Sequence, residues 1–93
     1  MTVNHVDGAD RGHIMLYALS TCVWCKKTKA LLDELKVEYS YTDVDLLNKE
    51  EKAEAMAEVR TWNPACSFPS MVINNSTCIV GFDEDKIREA LKG

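Results

Sequence analysis

No stretch of this sequence approaches the ~20 consecutive apolar residues that cross a bilayer. The first twelve residues, Met1 to Gly12, are polar and lack the apolar region of a signal peptide. The expected location is therefore the cytoplasm, with no membrane partner. An excess of basic charge is also missing, because 11 Lys and Arg stand against 15 Asp and Glu for a net charge of −4. Nucleic-acid surfaces gather Lys and Arg to displace counterions from phosphates, so a nucleic-acid partner is not expected. No internal repeat and no low-complexity segment occurs, and only one close pair of cysteines is present.

What is there suits one compact unit. A chain of 93 residues with 46% hydrophobic and 28% charged residues has room for a single core, since two domains would leave neither half enough apolar surface. Residues 1–12 show no periodic apolar pattern and read as a flexible tail, leaving 13–93 as the domain. Ile14 to Leu19 is an apolar run of strand length. After Cys22 the period changes: Thr28, Leu31, Leu32 and Leu35 fall on one helical face. Val37, Tyr39 and Tyr41 alternate with Glu38, Ser40 and Thr42 as a half-buried strand does. Asn48 to Arg60 is rich in Glu, Lys and Ala, and predicts a helix with Ala53, Met56 and Ala57 on its inner face.

Pro69 opens a further strand, Ser70 to Asn74, which an Asn74-Asn75-Ser76 turn returns into Thr77 to Val80. Asp83 is placed to cap a last helix whose inner face is Ile87, Ala90 and Leu91. The order β-α-β-α-β-β-α implies an α/β fold. A parallel pair from the strand–helix–strand unit and an antiparallel hairpin join in one four-stranded mixed sheet, flanked by three helices.

The chemistry concentrates in Cys22-Val23-Trp24-Cys25. Cys22 ends a strand and begins a helix, where unpaired N–H groups and the positive end of the helix dipole favour a thiolate, the attacking form of the residue. Cys25, one turn on, is near enough to attack a mixed disulfide made by Cys22 and release the reduced product. Cys22 is thus the expected nucleophile and Cys25 the resolving thiol. Lys26, Lys27 and Lys29 cluster beside them; such a group is usually a solvated face, and on flexible stems it adds only modestly to the helix terminus.

Other roles compete. The pair could be half of a zinc site completed by Cys66, Cys78 or His13, although structural zinc usually shows a second close ligand pair. It could be a permanent disulfide, which a reducing compartment disfavours, or two inert core residues, which the polar Ser20 and Thr21 argue against. Cys78 reads as a packing residue of the last strand. Cys66, two residues before Phe68-Pro69, is either a packing residue or a thiol near the site that forms a mixed disulfide or a regulatory link.

Three separated segments resemble the glutaredoxins, of the thioredoxin-fold superfamily, over Ile14 to Leu91. Tyr17 to Lys27 resembles the family's first strand, redox motif and helix start, with Trp24 where an aromatic is common. Ser67-Phe68-Pro69-Ser70 resembles its Thr-Val-Pro segment, which implies a cis Pro69 and a Phe68 main chain that pairs with an extended thiol substrate. Val80-Gly81-Phe82-Asp83-Glu84 is similar to the family's Gly-Gly-x-Asp-Asp corner, which holds a glutathione carboxylate, and Asp83 can serve there and as a helix cap. Trp24, Phe68, Pro69, Gly81, Phe82 and Asp83 are thus the implied substrate-binding residues.

Two positions depart from the pattern: Val23 replaces the usual Pro, as in the glutaredoxin-like hydrogen donors of ribonucleotide reductase, and Leu19 stands where Lys is usual. The resemblance implies a monomeric oxidoreductase with no bound cofactor. It would reduce disulfides of proteins or small molecules and be recharged by glutathione, by another small thiol such as coenzyme M, or by a flavin-dependent reductase. The alternative it leaves open is a protein that binds a 2Fe–2S cluster through Cys22 and an added small thiol across a dimer, in cluster storage, sensing or transfer.

Overall fold

The computed structural model describes residues 2–92. Its elements run β1 (Asn4–Val6), β2 (Ile14–Ala18), α1 (Val23–Leu35), β3 (Tyr39–Asp43), a 3₁₀ turn (Val44–Leu46), α2 (Lys49–Trp62), β4 (Ser70–Ile73), β5 (Thr77–Val80) and α3 (Glu84–Ala90). The strands form one sheet in the order β1-β3-β2-β4-β5. β2 and β3 are parallel, and every other neighbouring pair is antiparallel. This is the thioredoxin-like α/β fold with a mixed sheet and three helices that the element order predicts.

The sheet has five strands, not four. β1 lies within residues 1–12, which the sequence reads as a tail. Asn4 to Val6 pairs with Tyr41 to Tyr39, and farther on Ala9 N–H bonds to Lys36 O at 2.8 Å while Glu38 N–H bonds to Ala9 O at 2.9 Å. A Cβ on Gly8 would come within 2.5 Å of the Val37 carbonyl carbon, so this segment lies flat on the chain entering β3 only because residue 8 is glycine. The strand escapes a search for alternation because main-chain bonds make it: it is a three-residue edge strand with mostly exposed side chains.

β2 lies at the centre and all five of its residues are buried, which is why it reads as a continuous apolar run rather than an alternating one. Ile14, Leu16 and Ala18 point to a core with Leu31 and Leu32 of α1, Ile87 of α3 and Leu91 just after it. Met15 and Tyr17 point the other way, to Val59 of α2 and to Val72. Thus α1 and α3 cover one face and α2 the other. On the α2 side the Tyr17 hydroxyl donates to Glu58 Oε2 at 2.6 Å; burial and that carboxylate push the phenol well above its usual range.

Two helix faces differ from the sequence expectation. The inward residues of α2 are Ala55 and Val59, whereas Ala53 and Ala57 are exposed and Met56 is half-buried. Alanine marks a face too weakly to choose between adjacent stripes, and Val59 settles the matter by filling the space under the sheet. In the last helix Ile87 and Leu91 are buried, but Ala90 faces solvent. The turn between β4 and β5 is as expected, with Asn74 and Asn75 at φ 53° and 52°, the left-handed region that asparagine tolerates.

Candidate active site

Cys22 is the N-cap of α1. Its backbone is extended (φ −82°, ψ 121°), and its sulfur accepts a hydrogen bond from Cys25 N–H at 3.2 Å. In a capping position that amide would otherwise lack a partner, and here its partner is a thiol instead of the usual hydroxyl or carboxylate. Cys22 is half-buried; Cys25 is wholly buried in the core beneath the helix start. The Cys25 sulfur accepts from Leu19 N–H at 3.5 Å, so it lies between helix and strand end. Burial first, and the neighbouring Cys22 next, push the Cys25 thiol up to about 12. At neutral pH Cys25 is therefore a protonated thiol, and Cys22 is the partly exposed sulfur of the pair.

The loop that delivers Cys22 is tied down from the 3₁₀ turn after β3. Ser20 donates to Asp45 through its amide (2.8 Å) and its hydroxyl (2.6 Å), which holds that carboxyl below the usual carboxylate range. Asp45 carries no motif, and its partner is 25 residues away. Sequence reasoning had no signal for it.

The other segments converge on the same end of the sheet. The Trp24 ring stacks on Phe82 with centroids 6.1 Å apart and planes 23° apart, which joins the start of α1 to the chain before α3. Gly81, at φ 78°, donates its N–H to Pro69 O at 2.8 Å, which joins that chain to the start of β4. The Phe68–Pro69 peptide is cis, as the resemblance implied. Phe68 lies outside the strand ladders, and its main-chain N–H and C=O make no hydrogen bond to another described residue. Asp83 caps α3, with its carboxylate accepting from Lys86 N–H at 3.1 Å. Cys22, Trp24, Cys25, Phe68, Pro69, Gly81, Phe82 and Asp83 are thus linked by short contacts or adjacency across three distant stretches of sequence.

The remaining cysteines are elsewhere. Cys66 and Cys78 pack against Met15, Tyr17, Val59 and Val72, on the face opposite Cys25. They cannot complete a zinc site with the Cys22–Cys25 pair, and no group of three or more metal-ligating side chains occurs among the described residues. Cys78 packs in the sheet as expected, and burial raises its thiol. The three lysines do not act as one face. Lys27 lies over the Trp24 ring (4.6 Å), Lys26 is exposed, and Lys29 is half-buried in an ion pair with Asp43 at 2.8 Å.

A family model described as glutaredoxin matches residues 14–78, more than half of the sequence. The chain belongs to the glutaredoxin family. Among solved structures, methanoredoxin of Methanosarcina acetivorans is 55% identical over 92% of this chain and 90% of its own, with a TM-score of 0.90. A glutaredoxin from Methanosarcina mazei is 54% identical over 98% of this chain and 88% of its own, with a TM-score of 0.91. Glutaredoxin 1 of Rickettsia bellii is 35% identical over 67% of this chain, and the match spans 62% of that relative's length. This glutaredoxin-family chain has no helix, among the described residues, long and apolar enough to cross a membrane.

Proposed function

We propose that this chain is a dithiol thiol–disulfide oxidoreductase. Cys22 attacks a disulfide of a protein or small molecule to give a mixed disulfide; Cys25 then attacks the Cys22 sulfur, the substrate leaves as a thiol, and a Cys22–Cys25 disulfide remains for a reductant to reopen. The observation that carries the reading is the asymmetry of the pair: an accessible sulfur on the helix terminus and a buried, protonated one a turn below it. The Phe68 main chain, open beside Pro69, is suited to pair with an extended thiol chain, while Trp24, Phe82, Gly81 and Asp83 would wall the place where the rest of that molecule lies. Family membership supports thiol and disulfide partners in general. A cytoplasmic monomer without a bound cofactor is the simplest setting for this chemistry.

The 2Fe–2S alternative meets a chain that offers one accessible thiol at the site, since Cys25 is buried. A cluster would need its other ligands from a second copy and from free thiol, whereas the dithiol reaction uses only residues already in place.

The test is turnover of a glutathione mixed disulfide, run with glutathione plus its reductase, with a flavin-dependent reductase plus NADPH, and with coenzyme M. Turnover in any arm that is lost in Cys22→Ser supports the oxidoreductase reading and names the electron donor. Silence in all three, together with a brown dimer on anaerobic purification, contradicts it.

A further inference from the structure

Cys25 presents a difficulty to the reaction proposed above. It must become a thiolate to resolve the mixed disulfide, yet it lies in an apolar core of Leu16, Ala18, Leu31, Leu32 and their neighbours. Lys29 follows Cys25 by four residues on α1; Cys25 is buried and Lys29 is half-buried at the edge of the inner face. Residues four apart stack on one helical face with side chains leaning toward the N-terminus, so the Lys29 stem runs back toward Cys25.

The ammonium is held. It donates to Asp43 Oδ1 at 2.8 Å and lies 4.3 Å from the centre of the Tyr41 ring, with 22% of the Lys29 and 14% of the Asp43 side chain exposed. Asp43 in turn pairs with Ala18, the residue before Leu19, whose N–H bonds to the Cys25 sulfur. Helix, strand end and resolving thiol are thus closed into one ring of contacts. Surface lysines rarely hold such a position, because ordering a long stem in water costs as much as the ion pair returns.

We propose that Lys29, fixed by Asp43, is a positioning residue for the second half of the reaction: its half-buried positive charge stabilises the Cys25 thiolate as it forms. The proposal rests on the reading of Cys25 as the resolving thiol. Cys25–SH gives its proton to water, the thiolate attacks the Cys22 sulfur, the bond to the substrate sulfur breaks, and the departing thiolate takes up a proton. Electrons are conserved within the three sulfurs. Lys29 remains protonated throughout and serves as a charge, not as a base.

Other charged or titratable groups around Cys25 are engaged or of the wrong kind. Cys22 carries the substrate. Tyr39 of β3 donates to Asp33 at 3.2 Å, and burial raises its phenol. From α3 the inward residues are apolar, while Arg88 turns outward to Glu34 and Glu84. The field of Lys29 opposes the effect of burial on Cys25.

The experiment is single-turnover kinetics from pH 6 to 10, following mixed-disulfide formation and its resolution as separate phases. Lys29→Met alone would strand the Asp43 carboxylate and risk misfolding, so the test variant is Lys29→Met with Asp43→Asn, beside Lys29→Arg. The double variant should form the mixed disulfide at the wild-type rate, resolve it about fivefold more slowly near neutral pH, and show a resolution profile displaced to higher pH. Lys29→Arg should restore resolution to within about twofold. Equal slowing of both phases, or an unshifted profile in the double variant, overturns the role of Lys29. A wild-type mixed disulfide that Cys25 never resolves overturns the dithiol reading itself, and the role of Lys29 with it.

Discussion

The start of α1 and the start of α2 solve the same problem with different chemistry. Each must give unpaired amides a partner. At α2 the Asn48 side chain accepts from Glu51 N–H at 2.8 Å, and Glu50 and Glu51 put negative charge in the first turn, where the helix dipole favours it. α3 follows the same rule with Asp83, Glu84 and Asp85. α1 is capped by a cysteine sulfur and has no acidic residue in its first turn, and Lys26 and Lys27 follow Cys25. Two helix starts spend the dipole on stability; the third leaves it unanswered beside the Cys22 sulfur. A stretch that looks poorly designed as a helix start suits the reactive site proposed above.

Making α1 ordinary should break this contrast most severely. Cys22→Ser installs a better cap, so the variant should keep or gain up to about 1 kcal/mol of stability while disulfide reduction falls ~1,000-fold or more, the scale of losing a nucleophile. Thermal melting and turnover check the two signs together. Next in size is the pH dependence of resolution. Burial remains when Cys22 is bonded to a substrate and still holds the Cys25 thiol up, so the resolution rate should rise steadily as pH is raised above neutrality.

The linked stability effect follows from the same shift: the reduced protein holds its Cys25 proton more tightly when folded. That contribution is complete below the ordinary value of 9.0 and is lost between there and about 12. Oxidised protein, with no proton on Cys25, should not show that loss in alkaline denaturation curves.

A smaller effect should follow from giving α1 the acid it lacks. Val23→Asp, at an exposed first-turn position, should add about 0.5 kcal/mol to the helix and slow mixed-disulfide formation about threefold by repelling charge on Cys22. At α2 the same logic predicts only stability: Asn48→Ala should lower Tm by about 4–8 °C, the equivalent of ~1 kcal/mol in a domain of this size, with turnover at room temperature unchanged.

What was legible in the sequence was what local patterns write. Cys22 and Cys25 stand together, the period switches from strand to helix between Ala18 and Thr28, and the two Asn of the hairpin turn announce themselves. The convergence of Trp24, Phe82, Gly81 and Pro69 was visible only through the family resemblance, because no local rule sets a ring at residue 24 against one at residue 82. β1 was illegible: an exposed edge strand of three residues is written in main-chain bonds and in the single glycine at position 8. The inner face of α2 was misread because alanines at 53, 55 and 57 support more than one stripe. Lys29 and Asp45 hid for the same reason. A lysine in a run of lysines and an acid in a loop look solvated until the chain brings Asp43 and Ser20 to them.

One cysteine of the pair is presented and the other withheld. Brief iodoacetamide treatment of the reduced wild-type protein at neutral pH, followed by peptide mapping, tests it directly. Modification should accumulate on Cys22 while Cys25 remains free until the protein is unfolded; labelling of Cys25 as fast as Cys22 in the folded protein would contradict that asymmetry.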